Sequence, residues 1–140
     1  MLLSPSPPPP PPSPPPLASG SCVVNHNTGC VCSPNFSVNN CDRDSGTDGQ
    51  YGSYEDCTVS FGHTVQLTAY LLSTEDASRS RGCSYDYLRV PAYSSKYCSG
   101  SNADNSMSDL QGVTTTSLRF KSDSSNENAG FKVCYDLLSP

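Results

Sequence analysis

The sequence predicts an all-β fold, an antiparallel β-sandwich behind an N-terminal polyproline II arm. Three observations carry that expectation. Apolar and polar residues alternate in short runs through the second half of the chain. Eight cysteines punctuate a sequence rich in Ser, Asn, Asp and Gly. Ten of the first 20 residues are proline.

The alternation places the strands. Val65, Leu67 and Ala69 alternate in TVQLTAY, Leu88 and Val90 in YDYLRV, and Leu118 and Phe120 in SLRFKS. Phe131, Val133, Tyr135 and Leu137 alternate in GFKVCYDLL. Period two between turn residues is the pattern of antiparallel strands with one solvated face. No window supports a helix of ordinary length. Phe61-Gly62-His63 reads as a turn between two strands, with His63 on the surface. The alternation also orients Cys134. If Phe131 and Val133 point inward, Cys134 points to the other face, toward any segment lying over it. The stretch Cys22 to Cys32 is the candidate cover.

The cysteines are Cys22, Cys30, Cys32, Cys41, Cys57, Cys83, Cys98 and Cys134. An even number in such a composition implies disulfides and an oxidising, secreted or cell-surface setting. The rival is zinc at Cys22, His26, Cys30 and Cys32, but CxC spacing is unusual for a structural zinc site. Met1, Leu2 and Leu3 are followed at once by Ser4 and Pro5, so no apolar signal-peptide region is visible. If the protein is secreted, the sequence is expected to be a mature fragment, a recombinant piece or an internal domain of a longer chain. No stretch has the 18 or so apolar residues of a membrane span.

Three zones follow. Residues 1–20 are the proline arm. In PSPPPPPPSPPP, Pro5 to Pro16, proline fixes φ and removes the N–H, leaving polyproline II at about 3.1 Å per residue, roughly 37 Å in all. The run resembles the hydroxyproline-rich glycoproteins of plant and green-algal cell walls. That likeness implies hydroxylation and O-glycosylation at Pro7, Pro8, Pro9, Pro10, Pro11, Pro12, Pro14, Pro15 and Pro16. Residues 21–40 are a cysteine-rich connector, and the whole stretch Leu17 to Asp56 is loop-like. Asn35-Phe36-Ser37 is the one N-x-S/T sequon, a pointer to surface glycosylation. Residues 41–140 are the sandwich.

One ordered constellation is more specific. Glu75 precedes Cys83-x-Tyr85-Asp86-Tyr87-Leu88-x-Val90. Then come Tyr97-Cys98, Leu118-x-Phe120-x-Ser122-Asp123 and Gly130-Phe131. Upstream lie Asp44-Ser45-Gly46, Gly49-Gln50-Tyr51 and Glu55-Asp56. This series resembles the CUB domain family over Cys41 to Leu138. The resemblance implies a compact jellyroll sandwich with disulfides Cys83–Cys98 and Cys41–Cys57. Cys22, Cys30, Cys32 and Cys134 are extra to the family pattern. The expectation for them is that Cys134 bonds Cys30 or Cys32 and Cys22 bonds the other.

Many CUB domains bind calcium at one end, and the resemblance maps the ligands onto Glu75, Asp86, Asp123, Ser125 and Asn126. Tyr51 or Tyr54 would support them with a hydroxyl. The chemistry is sound independently, because calcium takes six to eight hard oxygens. Without a cation, three gathered carboxylates repel and raise each other's pKa.

A formal charge of −5 without a basic run argues against nucleic acid. His26 and His63 are the only histidines, and no serine sits in a nucleophile elbow. The reading is therefore non-catalytic. It is a structural unit of a cell wall, matrix or surface filament, with protein partners that include copies of itself. The alternative is a Ca2+-dependent recognition module for a basic protein ligand or a carbohydrate.

Overall fold

The computed structural model describes residues 3–8, 15–75, 83–91, 95–100, 103, 105–124 and 127–138. Among these, eight strands build the chain: β1 (Leu17–Ser19), β2 (Val23–Asn25), β3 (Cys30–Cys32), β4 (Asp56–Ser73), β5 (Tyr87–Val90), β6 (Ser95–Tyr97), β7 (Thr114–Lys121) and β8 (Gly130–Leu137). One α-helical turn, α1 (Met107–Leu110), starts at Ser106, whose backbone N–H donates to Asp109 Oδ2 at 2.8 Å while the Asp109 N–H donates to the Ser106 carbonyl at 3.1 Å. Pairing is antiparallel throughout, in the order β2-β3-β8-β4-β7-β5-β6, with β1 alongside β4. The all-β class is as the alternation predicts.

β4 organises the molecule. Its first half pairs with β7, Asp56 opposite Lys121 and Ser60 opposite Ser117. Its second half pairs with β8, Val65 opposite Leu137 and Ser73 opposite Gly130. Phe120 lies opposite Cys57 and Phe131 opposite Leu72. Drawn straight, those positions on β4 would stand about 50 Å apart at about 3.3 Å per residue. Yet the Phe120 and Phe131 rings meet with centroids 5.2 Å apart. The strand must therefore fold back on itself, and the two halves of the sheet enclose one core.

The bend is at Gly62. It has φ +75°, and the register with β7 shifts between Ser60 and Val65. A left-handed residue inserted in a strand is a bulge, which bends the strand and sharpens its twist. Phe61-Gly62-His63 is thus not a turn between two strands, as the sequence reading held, but a bend inside one. Hydrogen bonding continues across it, so alternation resumes on the far side.

The core is the set that the alternation selects. Val65, Leu67, Ala69, Leu88, Val90, Leu118, Phe120, Phe131 and Val133 are all buried, and Val59 and Phe61 from the first half of β4 join them. Leu137 departs from that pattern at 58% exposed, because β8 there reaches the last residue of its pairing with β4.

The stretch Leu17 to Asp56 is not simply loop, as its lack of periodicity implied. It supplies β1, β2 and β3, each three residues long. A three-residue strand is too short to display period two. β3 pairs with β8 through Cys30–Cys134, Val31–Val133 and Cys32–Lys132. The connector covers the outer face of β8, so both faces of β8 are buried from Gly130 to Cys134. A second cluster forms there from Cys30, Cys32, Phe36, Cys41 and Cys134. Lys132 is fully buried in the same layer, its Nζ 3.2 Å from Asp42 Oδ1 and 2.9 Å from Asp44 Oδ1.

All eight cysteines are paired: Cys22–Cys57, Cys30–Cys134, Cys32–Cys41 and Cys83–Cys98. Disulfide bonding leaves no thiolate for the zinc alternative. Cys83–Cys98 is the expected pair, and Cys134, on the face of β8 away from the core, bonds Cys30, its cross-strand partner on β3. The expected Cys41–Cys57 pair does not form, and Cys22 does not bond Cys30 or Cys32. The reason is the path of the arm. β1 runs antiparallel to β4, Leu17 opposite Ser60 and Ser19 opposite Thr58. The next residue, Gly20, has φ +90°, and a Cβ there would lie 2.5 Å from the Asp56 carbonyl oxygen. Only glycine lets the chain pass so close, and Cys22 then meets Cys57. Cys41 meets Cys32 instead, because the 3₁₀ turn Val38–Asn40 brings it back over β3.

Four disulfides place the chain in an oxidising, secretory or extracellular environment. Among the described residues no helix is long and apolar enough to cross a membrane.

Candidate functional site

Folding β4 at Gly62 has a consequence for its ends. Asp56, at its start, and Ser73, at its finish, arrive at the same end of the sandwich. Glu75 follows the finish of β4, Asp86 immediately precedes β5, and Asp123 lies two residues beyond β7. Three carboxylates distant in sequence are thereby gathered, each offering an oxygen within 4.8 Å of the others.

Asp86 is the buried member, 1% exposed. Its Oδ2 accepts a hydrogen bond from the Tyr51 hydroxyl at 2.5 Å, and its Oδ1 accepts one from the Asp123 backbone N–H at 2.7 Å. Both bonds favour the ionised carboxylate. Burial disfavours it more strongly, and the neighbouring charges of Asp123 and Glu75 add to burial, so the Asp86 pKa is pushed up to about 6. Burial and the Asp86 carboxylate hold the Tyr51 hydroxyl well above the ordinary phenol range, so it stays a donor.

The frame around these groups is polar and closely bonded. Thr74 and Ser99 bond reciprocally, Thr74 N–H to Ser99 Oγ at 3.0 Å and Ser99 N–H to Thr74 Oγ1 at 2.9 Å. This fixes the backbone next to Glu75 against the segment after Cys98. Ser122 Oγ donates to the Gly52 carbonyl at 2.7 Å and accepts the Glu55 N–H at 2.8 Å, tying the end of β7 to the approach of β4. Tyr51 N–H donates to the Asn128 carbonyl at 3.2 Å. Thr74, Ser99 and Asn128 are supports that sequence reading missed. Nothing in their local sequence distinguishes them from other turn residues, and the folded β4 alone makes them neighbours.

Of the residues expected here, Glu75, Asp86 and Asp123 are brought together, and Tyr51 supports them. Tyr54 takes part through its backbone, its N–H donating to the Asp123 carbonyl at 2.9 Å, while its side chain is left 77% exposed. Ser125 and Asn126 lie outside the described residues, as do Pro9, Pro10, Pro11, Pro12 and Pro14. Asn35 is exposed with φ +77°, its Nδ2 donating to the Gln50 carbonyl at 2.7 Å.

Beside the acidic cluster, and sharing Asp123 with it, is an open cleft of about 440 Å³ lined by Tyr54, Tyr85 and Tyr87 together with the charged residues Glu55, Asp56, Lys121 and Asp123. Asp56 is neutralised by Arg119, whose Nε and Nη2 lie 3.0 and 2.8 Å from its two carboxylate oxygens.

Chemically, Glu75, Asp86 and Asp123 are the described residues that could hold a metal ion. Their hard oxygens suit a divalent cation, which would offset the burial and cancel the mutual repulsion that together raise the Asp86 pKa. Compared with family models, curated proteins and solved structures, the chain finds no match.

Proposed function

We propose that this chain is a non-catalytic structural module of an extracellular assembly, a cell wall, matrix or surface filament. In this reading a CUB-type sandwich carries a calcium-ordered end and a hydroxylated, O-glycosylated proline arm. The observation that carries it is the anchorage of the arm. Leu17–Ser19 joins β4 as a strand, and Cys22 then bonds Cys57 on that same strand. Tension on the arm is thus borne by a covalent link to the strand that runs through both halves of the sandwich. A passive tail would need no such attachment.

Calcium belongs to the same reading. Glu75, Asp86 and Asp123 would supply three of the six to eight oxygens the ion takes, with Ser125, Asn126 and water completing the shell. An extracellular module of this kind binds with Kd on the order of 10⁻⁴ to 10⁻³ M. At tenfold excess over Kd the ion adds about 1.4 kcal/mol to folding, a rise of several degrees in Tm. The second reading, calcium-dependent recognition of a basic protein or a carbohydrate, is favoured by the tyrosine-lined cleft beside the acidic cluster.

Two measurements test the proposal. Negative-stain images and sedimentation of native protein should show filaments or a concentration-dependent series of oligomers. Monomers at high concentration would defeat the assembly reading. Thermal melting with 5 mM calcium (about ten times the expected Kd) against EDTA should separate the two curves, and coincident curves would defeat the calcium site.

A further inference from the structure

The cleft beside the acidic end has a chemistry that the calcium site does not use. Tyr54 is 77% exposed and Tyr85 43% exposed, and both stand at its walls with Tyr87. Large apolar rings left in water at a concave surface mark a site for a partner. Rings with hydroxyl tips, spaced along a groove, suit one ligand class in particular. A polyproline II helix packs its pyrrolidine rings between aromatic side chains and offers bare carbonyls to donors, and it loses little entropy because it is already ordered.

The chain carries such a ligand, the run Pro5 to Pro16. Where it departs decides which cleft it can reach. β1 enters at the level of Ser60, near the Gly62 bend, and runs toward the start of β4. By Ser21 it has reached the acidic end, where Ser21 Oγ donates to Glu55 Oε2 at 3.0 Å. Residues preceding Leu17 therefore leave from the bend end, opposite the cleft. The chain thus enters β1 at the end of the sandwich opposite its own cleft.

We propose that the cleft formed by Tyr54, Tyr85 and Tyr87 receives the proline arm of a second copy of this chain, joining copies head to tail. The inference rests on the assembly reading above and names its contact. The contact is heterologous, arm to cleft, so each added copy presents a fresh cleft and a fresh arm. Unless rotation closes a ring, such a contact propagates as a filament. Docking takes a stretch of the arm whose rings carry no glycan, since a glycosylated ring does not fit between tyrosines, and a run of roughly 37 Å has room for such a stretch beside modified ones. The run is uncharged, so docking needs no salt-sensitive pairing, and the lining acid Asp56 is already neutralised by Arg119.

The test uses the full chain and a fluorescent synthetic peptide of residues 4–17, with a Gly/Ser peptide of equal length as control. Anisotropy should show saturable binding of the proline peptide and none of the control. The Tyr54→Ala/Tyr85→Ala double variant, shown to be folded by circular dichroism, should bind at least tenfold more weakly. Both positions are exposed, so the core stays intact. Absent binding, or equal binding by the variant, overturns the proposal. The two readings fail separately. Filaments of native protein that persist in the double variant overturn this contact and leave assembly standing. Saturable, tyrosine-dependent peptide binding by a protein that stays monomeric overturns assembly and leaves the cleft a proline site.

Discussion

The Tyr51 hydroxyl lies 2.5 Å from Asp86 Oδ2, a bond between two residues that are 2% and 1% exposed. Tyr51 also packs edge-on against Phe120, with ring centroids 4.9 Å apart. One side chain thus joins the core to the acidic end. Tyr51→Phe keeps the packing and removes the donor. A buried carboxylate that loses a hydrogen bond of this type costs about 1.5–3 kcal/mol. The expected outcome is an unfolding free energy lowered by that amount, read as a urea midpoint shifted down by it divided by an unchanged m-value. The deficit should be largest near pH 7, where Asp86 is ionised. A variant as stable as the parent at pH 7 would show that the bond contributes nothing.

The same carboxylate sets a pH dependence in EDTA. Its pKa in the fold is about 6, against an ordinary 3.8, with burial the main cause. A group whose folded pKa is raised contributes stability that is complete below its unfolded pKa and is lost as pH rises through the folded one. The metal-free protein should therefore be more stable, and melt higher, at pH 5 than at pH 7, by at most about 1.3 kcal/mol from this group. Asp86→Asn should flatten that slope. Saturating calcium should oppose it, because the ion binds the ionised carboxylate and its stabilisation grows with pH. A melting temperature in EDTA that rises steadily from pH 5 to pH 7 would contradict the assignment.

The alternation of β4, β5 and β7 was legible because those strands are half-wet, and period two is the mark of a half-wet strand; β8 keeps the same alternation in its sequence although the cover buries both faces of its first five residues. Glu75, Asp86 and Asp123 were legible as an ordered set on resemblance, and the folded β4 brings them within reach of one another. Two kinds of feature were not legible. The first is the bend. Gly62 between apolar runs reads equally well as a turn or a bulge, and only pairing on both sides distinguishes them. The second is the cysteine-rich cover. Its strands are three residues long, and its pairing depends on where β1 docks, which three exposed residues, Leu17, Ala18 and Ser19, do not announce. Lys132 misleads for the same reason. Its place on the polar phase of β8 implies water, yet the cover buries it.

Buried Lys132 provides a third prediction. Its ammonium is held by Asp42 and Asp44, and the ring centroid of Phe36 lies 5.4 Å away. The hydrogen bond from Lys132 holds the Asp44 carboxyl below its ordinary range. A lowered carboxylate pKa contributes stability present above the unfolded value of 3.8 and lost as pH falls through the folded one. Acidification below about pH 4 should therefore destabilise the cover, opposing the Asp86 trend at higher pH. Removing the acids strands the cation, whereas removing the cation leaves two exposed carboxylates in water. Asp42→Asn/Asp44→Asn should lower the melting temperature, though less than breaking a fully buried pair would, because both acids are partly exposed. Lys132→Met should be neutral or stabilising. Equal losses from the two variants would refute this asymmetry.

The Cys22–Cys57 bond makes the sharpest mechanical claim. It closes a loop with a sequence separation of 35, for which chain entropy corresponds to about 4 kcal/mol. Its other effect is local. β1 is three residues long and fully exposed, so its few hydrogen bonds to β4 could not hold an arm under load. Cys22→Ser/Cys57→Ser should therefore act at two levels. The global melting temperature should fall, while the far-UV spectrum at 20 °C stays that of a β protein, because Cys30–Cys134 and Cys32–Cys41 still fix the cover. The arm should come loose first. Amide exchange at Ala18 and Ser19 should accelerate by at least tenfold, with little change at Val65 to Ala69 in the core. If exchange at β1 stays as slow as in the parent, the strand holds unaided, and tension on the arm would not need the disulfide to reach β4.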